Sequence, residues 1–284
     1  MGVALMAAAL LAGAGSLSGA SQPASWAGPS QGGEPARLSS AALPQAGAAA
    51  GSVAYFPFVG RMPAPTPPAA CPLGAGSSYA SLSPNPPPTD RPAAQHPDLN
   101  LSIRGWEPTA GVAGFVVYAG QPDPNAPQLA SLFADDRVPA FSSLHRVRQW
   151  DWACDCPSGP IDFPPVTLLG MATAPGEPIR LPRAGFDIGS GYQALVLYAV
   201  PNRLTLKYTR EDHVVRGYTI HLEGICVDPG LLSLYRSLDA AGRSRLPALR
   251  SGQVVGRARG SQILVSIRDA GSFMDPRSHD DWWQ

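Results

Sequence analysis

Short runs in which apolar and polar residues alternate dominate the chain from about residue 99 onward. Alternation over four to eight residues is the mark of a strand buried on one side. Leu99-Asn100-Leu101-Ser102-Ile103 carries it, and strand-like runs follow at 112–118, 145–150, 166–171, 194–200, 204–208, 218–222 and 263–267. Pro and Gly punctuate them at 120–124, 174–178 and Pro201-Asn202. Many short strands with such punctuation predict a mostly β body, an antiparallel sandwich or barrel-sandwich. A brief helix is expected over 128–133. One longer helix is written more fully. Asp228 is an N-cap and Pro229 fits the first helical position; Leu231, Leu234, Tyr235 and Leu238 recur at helical spacing, and Gly242 ends the run.

The pattern is different before residue 98. Residues 1–20 are apolar and end in Ser18-Gly19-Ala20, the small-x-Ala form of a secretory signal, although no Lys or Arg precedes the apolar run. Residues 21–97 are rich in Pro, Ala, Gly and Ser. Runs such as Pro84-Asn85-Pro86-Pro87-Pro88 suit an extended, disordered tether, because proline fixes φ and lacks a donor. A short apolar patch at 53–59 is the one segment of it suited to docking. The rest reads as a β-rich subdomain, 98–175, and a second β domain, 176–284, with the turn at 174–178 as the boundary, or as one continuous β body.

Composition narrows the function. Lys+Arg and Asp+Glu are both 21, so the chain has no net charge and lacks the basic excess that nucleic-acid binding requires. Charged residues make up 15%, against roughly 25% in ordinary soluble domains. The signal-like start places the protein outside the cell or in its envelope, with membrane contact only if that segment stays uncleaved. Cys154-Asp155-Cys156 is spaced too tightly for a zinc ribbon. In an exported chain Cys154 or Cys156 is expected to pair with Cys226; Cys156–Cys226 is the pairing carried forward, and free thiols are the alternative.

Four stretches, in order, carry a family resemblance. They are Arg183-Ala184-Gly185-Phe186-Asp187, then Tyr218 to Ile225 with His221, then Ser251 to Gly256, and finally Gln262-Ile263-Leu264-Val265-Ser266-Ile267-Arg268-Asp269. Together they resemble the lysostaphin/LytM-type zinc metallopeptidases, which cut peptidoglycan peptides. The resemblance covers about the last hundred residues and implies a metal site of His, Asp and His. Here Arg183 and Leu264 stand at the two histidine ligands, Gln262 replaces a further, catalytic histidine, and only Asp187 remains of the ligand set. Three protein donors are needed for a catalytic zinc, so the resemblance implies a pseudoenzyme with no catalytic residue, metal or cofactor. Arg183, Asp187, His221 and Gln262 would then line a vestigial groove, with Arg183 free to pair with Asp187.

No other catalytic pattern replaces the lost one. Gly189-Ser190-Gly191 is not a nucleophile elbow, and Lys207 is the sole lysine. Glu211-Asp212-His213 reads as a solvated hairpin tip. His279-Asp280-Asp281 beside Trp282 and Trp283 is a surface metal or partner patch, or the aromatic pair seals the sheet edge. Trp106, Tyr118, Trp150, Trp152, Tyr192 and Tyr198 are candidates for a groove, although aromatics more often pack in cores. The resulting expectation is an exported, non-catalytic envelope protein that binds peptidoglycan or a partner hydrolase. A metal-dependent hydrolase with atypical ligands and a structural coat protein are the alternatives.

Overall fold

The computed structural model describes Cys71 and residues 76–284. The signal-like segment, most of the tether and the 53–59 patch lie outside the described residues. In chain order the first strands are β1 (Ala80–Leu82), β2 (Trp106–Pro108), β3 (Phe141–Asp151), β4 (Cys156–Pro160), β5 (Leu168–Ala172), β6 (Pro178–Arg180) and β7 (Ala194–Val200). Then come β8 (Arg203–Lys207), β9 (Tyr218–Glu223), β10 (Ile225–Val227), β11 (Leu246–Leu249), β12 (Val254–Ala258), β13 (Gln262–Asp269) and β14 (Ser272–Met274). Helix α1 (Pro229–Ala240) lies between β10 and β11, and the short α2 (His279–Trp282) follows β14.

The mostly antiparallel β body is as expected. One large sheet runs β1-β11-β7-β8-β9-β13-β5-β3-β2, with β4 beside β3 and β14 beside β13; β10, β12 and β6 form a small second sheet. Because β5 sits between β13 and β3, residues 98–175 and 176–284 contribute strands to a single sheet. Residues 76–97, expected in the tether, also join the body: β1 pairs with β11, and Ala93–Gln95 forms a 3-10 turn.

Alternation sets the two faces of the sheet's centre. Leu204, Leu206, Ile220, Leu222, Ile263, Val265 and Ile267 point into the main core, each buried side chain contributing roughly 1.5–3 kcal/mol. Their neighbours Thr205, Lys207, Thr219, His221, Glu223, Ser266 and Arg268 are also buried, so the second face is covered yet polar. Its cover is the 96–104 segment. There the expected strand at 99–103 is a 3-10 turn, Leu101–Ile103. Asn100 donates to Ala94 O and accepts from the Ser102 hydroxyl, local bonds that compete with a ladder. The run at 112–118 is likewise no strand; its one backbone bridge joins Val116 to Ser278, and Val112 and Val117 are exposed. The helix expected at 128–133 is a 3-10 turn, Leu129–Leu132.

Helix α1 forms as its sequence dictates. The Asp228 carboxylate accepts from the Gly230 and Leu231 amides, Leu231 and Tyr235 face inward onto β7 and β11, and Gly242 takes a left-handed φ of 86° just beyond. Two expectations need correction. The disulfides are Cys71–Cys226 and Cys154–Cys156, not Cys156–Cys226. Cys226 lies on β10 of the small sheet, whereas Cys156 starts β4 at the edge of the large one. Asp212 is not a solvated turn residue. It is fully buried and chelated by Arg243, whose Nε and Nη2 donate to its two oxygens at 2.9 and 2.6 Å.

Candidate functional site

The four residues of the expected groove each go to different partners. Arg183 is exposed and pairs with Asp136 at 2.9 Å, not with Asp187. Asp187 accepts from the Gly189 and Gly191 amides, closing its own turn. Gln262 accepts from the Ser142 and Ser143 hydroxyls. His221 shares a sheet face with Gln262 but lies opposite Ser266, four residues along β13, about 13 Å away at 3.3 Å per residue. Leu264 stands between them, packed with Leu101, Val147, Leu168 and Phe273. Among the described residues no three His, Cys, Asp or Glu side chains gather closely enough to hold a metal ion.

His221 belongs to the buried polar layer instead. The Thr205 hydroxyl donates to Leu99 O at 2.6 Å and has one proton to give. It therefore accepts from His221 Nδ1, 3.1 Å away, which leaves Nε2 as a bare acceptor without a partner. Burial, reinforced by Arg268, lowers the His221 pKa to about 3, so the ring is neutral. Nearby, burial raises the Glu223 carboxyl to about 7 despite Arg203 at 3.0 Å. Burial also opposes ionisation of Asp98, but Arg268 and Arg104 overcome it and hold that carboxylate at about 2.

The concave surface lies beside this layer, where the tight Ala270-Gly271 turn sends β13 back as β14. Two clefts meet there. The first, about 490 Å³, has Tyr118 to Pro122 on one wall, Phe163 and Pro164 on another, β14 as its floor and Asp280, Asp281 and Trp282 at its rim. Its base is braced: Tyr118 donates to Asp275 at 2.9 Å, Arg277 grips both oxygens of Asp275, and the Trp282 indole donates to Asp275 O. Burial and then Asp275 raise the Tyr118 phenol to about 12, so it stays a donor.

The second cleft, about 320 Å³, is lined by Arg104, Arg268, Gln149, Trp150, Ile161 and Gly271. It shares Phe163, Ser272 and Phe273 with the first. Both guanidiniums lie over the Phe273 ring, 5.6 and 4.5 Å from its centroid, and both bond Asp98 Oδ1, at 2.5 and 2.7 Å. Two cations on one carboxylate leave an excess positive charge at this end. The far end carries Asp280 and Asp281. Phe163, 76% exposed, stands at the junction with its ring edge-on to Tyr118.

Of the candidate groove aromatics, Tyr118 and Trp150 reach the clefts, whereas Tyr198 is core. Trp282 and Trp283 are buried in the main core against Tyr218 and Phe141 rather than at a sheet edge, and Trp282 also closes the first cleft. Arg104, Phe163 and Phe273 carried no sequence signal as site residues; Arg268 was visible only inside the Ile-Arg-Asp run. No known family pattern, characterised protein or solved structure matches the chain.

Proposed function

We propose that this chain is an exported, non-catalytic binding protein of the cell envelope whose ligand lies along the two joined clefts. The observation that carries the reading is that the two clefts share Phe163, Ser272 and Phe273 as lining, with a cationic end at Arg104 and Arg268 and an acidic end at Asp280 and Asp281. A short extended peptide with a carboxylate at one end and an amine toward the other matches that layout. Peptidoglycan stem peptides have this chemistry. The apolar floor supplies contact area, and the opposed charges set direction. Binding rather than turnover is supported by the inner carboxylates, because Asp98 and Asp275 are each already held by arginine. Export is supported by the cysteines, all four of which are in disulfides.

Cell-wall sacculi pulled down with the full chain test this. Phe163→Ala, at an exposed position, and the pair Asp280→Asn/Asp281→Asn, at half-buried ones, are each expected to weaken retention roughly tenfold, the effect of about 1.4 kcal/mol. Arg183→Ala and Gln262→Ala, away from the clefts, should bind as wild type. The reverse pattern would return the site to the Arg183–Gln262 positions and sink this one.

A further inference from the structure

The two disulfides are unlike each other in what they restrain. Cys71–Cys226 ties residues 155 apart and Cys226 is buried, as a bridge that restricts the unfolded chain should be. Cys154–Cys156 closes a ring through one intervening residue, at the turn joining β3 to β4. A loop that short removes little freedom from the unfolded chain, so stability does not account for it. Cys154 is exposed. The residue inside the ring, Asp155, sits in the left-handed region at φ 53°, sparsely populated for a side-chain-bearing residue.

That backbone is held from outside the ring. The Asp155 carboxylate accepts from Arg91 at 2.6 Å and from the Trp150 indole at 3.2 Å. Arg91 also lies over the half-exposed Trp152 ring, and His96 meets the same ring edge-on. Cys156 is fixed in the ladder opposite Asp151, whereas Cys154 belongs to the turn. The result is a bridge whose Cys154 end is exposed and whose Cys156 end is anchored in the ladder, joined through Asp155 and Arg91 to the half-exposed Trp152 indole.

We propose that Cys154–Cys156 is a thiol–disulfide exchange site that accepts electrons from a dithiol segment of a polypeptide. A substrate thiolate attacks Cys154 Sγ, the bridge breaks, and Cys156 leaves as the thiolate and takes up a proton. The second substrate thiol, deprotonated, attacks its neighbour in the mixed disulfide and releases Cys154. The substrate dithiol is thereby oxidised to a disulfide and Cys154/Cys156 reduced to two thiols, two electrons having moved. Exposed, locally closed bridges are the exchangeable class, whereas buried long-range ones resist.

The test uses the full oxidised chain with limiting dithiothreitol, and separately with a synthetic two-cysteine peptide, followed by alkylation and peptide mass mapping. Cys154 and Cys156 should become alkylated roughly tenfold or more faster than Cys71 and Cys226 with both reductants, and the peptide should be recovered oxidised in equal amount. Cys156→Ser, which cannot form the bridge, should lose peptide oxidation. Equal reduction rates for the two bridges, or a peptide left reduced, would overturn the assignment. The wild-type comparison stands even if the variant does not fold.

Discussion

Asp212→Ala should cost about 3–5 kcal/mol of stability, the range for stranding one member of a buried ion pair. Asp212 is wholly buried, and the Arg243 guanidinium spends every donor within reach. Nε and Nη2 go to Asp212, Nη2 also to Leu197 O, and Nη1 to the Tyr235 hydroxyl and Asp239. Removing the carboxylate leaves a permanent cation with only the part-exposed Asp239 beside it. The cluster also ties α1 to the β8–β9 connection, so its loss is felt across the fold. Urea unfolding of the full chain measures the effect, and Arg243→Leu on the Asp212→Ala background should recover part of it, since no charge is then left unpaired. A loss below about 1 kcal/mol for Asp212→Ala would mean the pair is solvated after all.

The second large effect is one of pH. Burial raises the Glu223 carboxyl to about 7 in the folded chain, against about 4.3 when unfolded. The folded state therefore binds its proton more tightly. That contribution is complete below the unfolded pKa and is lost as pH rises toward 7. His221 runs the other way. Its folded pKa of about 3 lies below the unfolded value of roughly 6.5, so its contribution is present above the unfolded value and lost as pH falls toward 3. The two oppose each other between the unfolded carboxyl value and that of histidine, flattening the wild-type curve there. Glu223→Gln removes one term, so its stability should climb with pH where wild type stays flat. At pH ~8 the variant should be the more stable by about 3–4 kcal/mol, from about 1.4 kcal/mol per pKa unit. Parallel curves from acid to pH ~8 would show that Arg203 keeps Glu223 ionised.

What was readable in the sequence follows the physics of each element. The central strands and α1 were legible because a sheet buried on an apolar face, or a capped amphipathic helix, must repeat at a fixed period. The run at 99–103 has the right alternation, but the Asn100 side chain satisfies the backbone carbonyl of Ala94 and is itself held by the Ser102 hydroxyl, and the turn wins. Strands such as β1, β6 and β14 are three residues long, too short for any period to register. Asp212 looked solvated because its partner Arg243 lies 31 residues away, and a single sequence does not reveal such pairs. The clefts were illegible for the same reason. Arg104, Phe163 and Phe273 come from separate stretches, and only the folding of 96–104 over the polar sheet face brings Asp98 between the two arginines.

Backbone hydrogen exchange of the full chain, with and without soluble peptidoglycan stem peptides, tests the binding site most directly. The cleft reading predicts added protection confined to residues 118–122, 149–150, 161–163 and 268–282, the segments that line the two joined clefts. Protection centred on 183–187 and 262, or none at saturating peptide, would contradict it.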